Sequence, residues 1–378
     1  MKCIHCGTDS KLKDRSDGRC PKCKHQFAFE PTTDSHRVTD GQLKAAIDRV
    51  SGESRVMFTE RELWYEFNRK WMQPGTWRSP YGCLPLLGVL PAVLALAGVL
   101  DMGMILVGIF GGAVGLVAGI LLSTRANRLS PRPPRPPRIP FDQFRAKYLA
   151  RWNAVHGEIP PLLPPRETAR LAAPRGVPAD VAAFSFDRAV VTEQWETAAM
   201  LVANRFHFEH SCAVLSRDGY PEGIADTVKE MLRRNPALTV FVLHDASIGG
   251  CLLPAALRDD EWFPDPSIRI VDVGLRPETV RNLRLPVLRG HPAKVPPRLA
   301  ALLTAEDAHW LEEGNVGELA SLRPPQVMRA LSRAIAAAAA ADGSSDGGSY
   351  DGGGGGIIWF GDMGGGGGGD TSTTDGFG

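Results

Sequence analysis

Net charge is what this sequence has least of. Its 43 lysines and arginines stand against 42 aspartates and glutamates, leaving +1 over 378 residues, so no global field singles out nucleic acid as a partner. Basic residues stop at Arg333. A cleavable leader is not expected, because the first residues are polar and cysteine-bearing. Seven cysteines are an odd number. Four fall into two pairs and leave Cys83, Cys212 and Cys251 over, which argues against a disulfide framework and for a reducing compartment. Charge is also missing from residues 83–100 and 102–122. The 30 prolines and 41 glycines are clustered, marking linkers and tails.

Near the start of the chain, "CIHCG" (3–7) and "CPKCK" (20–24) are two C-x-x-C turns. Four thiolates on two tight turns can grip one tetrahedral Zn²⁺, and in so short a segment that binding is folding energy. A redox pair is the competing reading. The turns, closed by "HQFAFEP", resemble a zinc ribbon over 1–30, with Cys3, Cys6, Cys20 and Cys23 as ligands. His5 and His25 are read as spare and solvated.

Residues 36–78 form a helical segment, continuous over 40–72, in which Thr59 and Glu62 make a capping box. Trp64, Phe67 and Trp71 recur at helical spacing, as packing or interfacial contacts. The two uncharged runs each approach the roughly 20 residues that cross a bilayer. They predict a transmembrane α-helical hairpin over 83–122 with Asp101 at the turn, a buried soluble hairpin being the alternative. Arg61, Arg69, Lys70 and Arg78 precede it, and Arg125, Arg128, Arg132, Arg135 and Arg138 follow. Basic flanks on both sides place both termini in the cytoplasm and the chain in the cell membrane, in contact with lipid. A Pro/Arg-rich stem follows over 123–178, and its amphipathic helix 141–157 pairs with the helix before the hairpin as an interfacial anchor.

From 179 to 296 apolar runs alternate with helical patterns: strands at 187–192, 211–216, 238–244 and 268–274, helices at 194–206, 221–234, 250–257 and 277–283. This predicts a Rossmann-like α/β domain around a parallel sheet, facing the cytosol. Residues 304–341 read as a further helical segment. The Gly-rich tail, 342–378, reads as disordered.

Two acids fall where parallel strands meet their loops, the rim that binds ligands in such sheets. Glu193 follows the first strand and Asp245 the third, a proton-moving group beside a potential Mg²⁺ ligand. The stretches "VVTEQWETAAML", "VFVLHDASIGG" and "VGLRPETVRNLRLP" together resemble a Toprim domain of the kind found in type IIB topoisomerase A subunits, over about a third of the chain. The resemblance implies a catalytic glutamate at Glu193 and the first aspartate of a metal-binding pair at Asp245, with the glycine turn at Gly249 and Gly250. The second aspartate of that pair is replaced by Ser247, a poor Mg²⁺ ligand, with Asp272 as a conceivable substitute. The family's tyrosine-bearing module has no counterpart, which excludes topoisomerase chemistry. Helix capping by Asp245 and Glu193, and a backbone-bonded His244, are the structural alternatives. The expected function is a membrane-anchored, non-catalytic binding or assembly module for an unidentified protein partner. The alternative is a Mg²⁺-dependent nuclease or phosphotransferase using Glu193 and Asp245. Nucleic-acid binding through the ribbon and the arginine stem is a third, weaker expectation.

Overall fold

The computed structural model describes residues 1–15, 17–72, 117, 135–166, 168, 187–221, 225–235, 237–259 and 262–343. The chain divides into one unit of Met1–Gln73 with Arg135–Gly378 and a second of Pro74–Pro134. Of the second unit Val117, helical and exposed, is described. The cysteine turns, the helical core and the sheet all belong to the first unit.

Among the described residues no helix is long and apolar enough to cross a membrane. The expected multidomain fold is corrected on this point: the transmembrane hairpin is not supported, nor is the two-span placement in the cell membrane with cytoplasmic termini. The hairpin at 83–122 lies, Val117 apart, outside the described residues, as do stem residues 123–134, most of 167–186 and the tail from 344. The physical reason for the correction is in the flanking helices, whose aromatic residues were expected at a lipid interface. Trp64, Phe67, Phe144, Tyr148 and Trp152 pack into a protein core instead.

That core is built from α1 (Asp40–Ser51), α2 (Glu60–Met72) and α3 (141–156). The single helix expected over 40–72 breaks because Gly52 adopts the left-handed region (φ 54°) and closes α1 through its N–H to the Asp48 carbonyl. The Thr59–Glu62 box then opens α2: Thr59 N–H donates to Glu62 Oε2 at 2.7 Å, and Glu62 N–H to Thr59 Oγ1 at 3.2 Å. Within α3, Phe144–Leu149 is π-helical. Leu43, Ile47, Leu63, Trp64, Tyr65, Phe144, Tyr148 and Trp152 are buried together. Trp64 keeps its polar end satisfied by donating to the Ile139 carbonyl at 2.7 Å. Trp71, the last of the spaced aromatics, is exposed.

The parallel sheet stands as expected, with strand order β2-β1-β3-β4. Its strands are β1 (Arg188–Thr192), β2 (Ala213–Ser216), β3 (Thr239–Leu243) and β4 (Arg269–Asp272). β1 pairs with β3 in the register Val190↔Phe241. The period of two sorts the side chains. Val190, Phe241 and Leu243 face α4 (Trp195–Ala203) and the long C-terminal helix, while Ala189, Val191, Val240 and Val242 face α5 (Ala225–Arg233) and α6 (Ile248–Asp259). After β4 come α7 (Pro277–Asn282), α8 (Ala305–Glu312) and α9 (Pro324–Gly343). Val327, Leu331 and Ile335 of α9 are buried in the first of these two layers. The helical segment read at 304–341 is therefore two helices, of which α9 is one cover of the sheet.

The helical core meets the sheet's carboxyl edge through polar contacts. Arg61 makes a two-pronged pair with Glu318 at 2.7 and 2.6 Å. Glu66, 2 % exposed, accepts from Arg49, Arg69 and Arg323. Met57 and Asn204 exchange two hydrogen bonds, at 2.8 and 2.9 Å.

Candidate functional site

The two C-x-x-C turns fold as near copies. Cys3 N–H bonds the Thr8 carbonyl and Cys20 N–H the His25 carbonyl, while the Gly7 and Lys24 amides return to the Cys3 and Cys20 carbonyls. Gly7 and Lys24 both have positive φ, 73° and 59°, which turns each chain back after its second cysteine. The four Sγ atoms lie within 4.8 Å of one another, with Cys3–Cys23 at 3.8 Å and Cys6–Cys20 at 3.6 Å. A disulfide needs about 2.05 Å, and all four cysteines are free thiols. A tetrahedral ion with metal–sulfur bonds of about 2.3 Å sets its ligands about 3.8 Å apart. The four residues fit a metal ion such as zinc. The Thr8 hydroxyl beside Cys6 already holds that thiol down at about 6. His25, expected to be solvated, stacks between His5 and His156, with ring centroids 4.9 and 5.4 Å away. His156 in turn reaches buried Asp40 at 2.8 Å.

At the sheet's carboxyl edge Glu193 and Asp245 do come together. The Glu193 N–H extends the ladder to the Leu243 carbonyl, and its Oε2 accepts the Asp245 N–H at 2.9 Å. Asp245 Oδ1 accepts the Leu319 N–H at 2.7 Å. Burial first, and then the Glu193 carboxylate, push the Asp245 carboxyl up to about 7. Asp245 does not cap α6. Ser247 does, accepting the Gly250 N–H at 2.9 Å. Gly250 has no room for a side chain, since a Cβ there would lie 2.2 Å from the Asp245 carbonyl oxygen and 2.7 Å from Glu193 Oε2.

Asp272 does not replace the missing second aspartate. Its Oδ1 meets His244 Nε2 at 3.0 Å, and its Oδ2 accepts from Arg276 at 2.8 Å. Burial opposes ionisation of Asp272, but His244 and Arg276 overcome it and hold the carboxyl well below its usual range. His244 Nδ1 faces the Asp245 carbonyl at 2.8 Å. Both ring nitrogens thus face acceptors, an arrangement that favours the imidazolium in the fully buried ring. Although burial works against the charge, Asp272 raises the His244 pKa. Among the described residues Glu193, Asp245 and Asp272 do not form a group of potential metal ligands, whereas the four cysteines do. Among the described residues, then, no set of three or more potential ligands for Mg²⁺ forms at this edge.

Beside Asp245 opens a cleft of 430 Å³ that sequence reasoning missed. It is lined by the start of α2 (Thr59 to Glu62), Phe141 and Arg145 of α3, residues 163–166, the start of α4 (Gln194 to Thr197), and Glu318 to Ala320. Arg61 lies over the Phe141 ring at 4.6 Å and Arg166 over Trp195 at 5.7 Å. Burial pushes Glu62 up to about 7 and raises Glu196. Glu196 and Trp195 lie within "TEQWE", immediately after Glu193, the nearest thing to a signal in the sequence. The partners from α2, α3 and 318–320 carry none.

Comparison with protein-family models, curated proteins and solved structures found no match.

Proposed function

We propose that this protein is a zinc-stabilised, non-catalytic binding module. Its cysteine turns hold a structural ion, and its α/β domain, with a degenerate Toprim-like edge, receives a partner without processing it. A closed set of four cysteines leaves no open position on the metal for chemistry. The observation that carries the reading is the engagement of both rim acids with backbone N–H groups. Glu193 holds the Asp245 amide and Asp245 holds the Leu319 amide. A carboxylate locked in this way is a positioning element for the loop, and drawing it onto Mg²⁺ would orphan a buried amide. The Ser247 cap supports the same reading, because the side chain that would complete a metal pair closes a helix instead.

The test is calorimetric titration of the full chain with Mg²⁺ and Mn²⁺, alongside Asp245→Asn. The expected result is no saturable site in either protein up to millimolar metal. Saturable binding in the parent that Asp245→Asn abolishes, with zinc content unchanged, would overturn the proposal in favour of a metal-dependent phosphoryl-transfer enzyme.

A further inference from the structure

The cleft carries more acid than base. Glu60, Glu62, Glu196, Asp245 and Glu318 line it, against Arg61, Arg145 and Arg166. Each arginine already has a carboxylate: Glu318 for Arg61, Glu60 for Arg145 and, from outside the lining, Asp218 for Arg166. Glu62 is held by the Thr59 amide and hydroxyl at the start of α2. That leaves Asp245 and Glu196, which have no described cation in ion-pair contact, His244 and Arg166 acting on them only from farther off. Asp245 is 9 % exposed, one oxygen sits on the Leu319 amide, and no described donor serves the other. A carboxylate so far from water, beside a second carboxylate at Glu193, is costly to ionise unless a positive charge comes to it.

The rest of the lining describes the ligand's shape. Trp195, Phe141, Leu163, Met200 and Val327 give the cleft apolar and aromatic surface next to its acids. Aromatic faces attract cations, and low-dielectric walls strengthen the field of the two acids inside. The volume falls within the roughly 300–1,000 Å³ of small-ligand sites. Inorganic divalent ions are a poorer match, because they require several converging oxygens and no such group is formed here.

We propose that this cleft binds an organic cation, an alkylammonium or guanidinium group, that pairs with Asp245 and Glu196 while its apolar stem lies along Trp195 and Phe141. The proposal rests on reading the sheet edge as a binding edge. The same chemistry is carried by a free amine or guanidine and by a lysine or arginine side chain of a peptide. Binding draws the proton off Asp245, so it releases protons and tightens as pH rises through about 7. The charged and titratable groups facing Asp245 are Glu193, His244, Glu318, Arg61 and Tyr65.

The experiment is calorimetry on the full chain with butylguanidinium, butylammonium and an acetylated, amidated peptide containing one arginine, with butylurea as the uncharged control. At least one cation is expected to bind saturably at pH 8, more weakly at pH 6, with no binding of butylurea. Affinity is expected to fall about tenfold or more in Glu196→Gln and in Asp245→Asn. The asparagine still accepts the Leu319 N–H, and Glu196 is half-buried in the cleft lining, where glutamine keeps its shape, so both variants should fold. Binding of the small cations identifies a free ligand; binding of the peptide alone identifies a side chain. Absence of saturable binding by all three, equal binding of butylurea, or affinity untouched by Glu196→Gln overturns the proposal. None of these outcomes depends on the Mg²⁺ titration, so the two readings can fail separately.

Discussion

His244 Nε2 stands 3.0 Å from Asp272 Oδ1, with the imidazole fully buried and its other nitrogen against the Asp245 carbonyl. The pair joins the ends of β3 and β4, and Arg276 closes it on the far side. Because the folded-state pKa of His244 is raised, its contribution is complete below about 6.5 and is lost as pH climbs through the folded value. Asp272 is depressed, so its contribution holds above about 3.9 and disappears on acidification. His244→Ala should cost about 3–5 kcal/mol, since it strips a buried carboxylate of a partner. Denaturant unfolding at pH 6 measures this. A loss below about 1 kcal/mol would mean that the ring is no more than packing.

Asp245 works in the opposite sense to an ordinary acid. With its carboxyl raised to about 7, the folded chain binds a proton that the unfolded chain has released, and stability falls as pH rises from about 4 to 7. Asp245→Asn keeps the Leu319 contact and removes the titration. It should gain about 4 kcal/mol over the parent at pH 8 and nothing at pH 4. Melting curves at the two pH values decide it.

At the start of α6 the Ser247 cap and the tight glycine make separable predictions. Ser247→Ala should lose about 1 kcal/mol, and Ser247→Asp almost nothing. Gly250→Ala should lose about 3 kcal/mol or more, because its methyl would meet the Asp245 backbone as well as the Glu193 carboxylate. Equal losses for both alanine variants would contradict the geometry.

Glu66 sits at 2 % exposure among Arg49, Arg69 and Arg323. Its pKa lies below the ordinary glutamate value, since Arg323, Arg69 and Arg49 outweigh a large burial penalty. Glu66→Ala should cost about 3–5 kcal/mol by leaving cations without their common acceptor. Chemical denaturation should show this as a lower midpoint, and full stability would mean that water substitutes freely.

The purified chain should hold one zinc ion, released by chelator or by Cys20→Ser. Elemental analysis gives the ratio. Because the turns have little core beyond Cys3, Cys20 and Phe27, metal loss should expose them to protease while the parallel sheet stays protected. A chain that binds no zinc but keeps its turns protected would count against a structural ion.

What could be read from the sequence was local. The cysteine spacing specified the four-sulfur cluster, the apolar runs specified the strands, and Thr59 with Glu62 specified the start of a helix. The candidate acids were also found, since strand ends place Glu193 and Asp245 on one edge. Their occupation was hidden, because the amide that takes Asp245 belongs to Leu319, far along the chain. The aromatic helices around Trp64 and Tyr148 were misjudged for the same reason: composition near an apolar run suggests lipid, whereas the contact of α2 with α3 is a pairing between distant segments. The cleft draws on widely separated stretches between Thr59 and Val327, and no window of sequence contains it.

The order in which the chain leaves the ribosome gives these distant pairings a consequence. α1 and α2 emerge first but find α3 and the Phe58–Leu162 bridge only after 141–163 have been made. The four strands are complete by Asp272, yet one face waits for Val327, Leu331 and Ile335. Both cores are thus closed by late-arriving helices. Nascent chains stalled before about residue 324 should expose the Val190–Phe241 face and recruit holdase chaperones, and release should follow once α9 clears the exit tunnel.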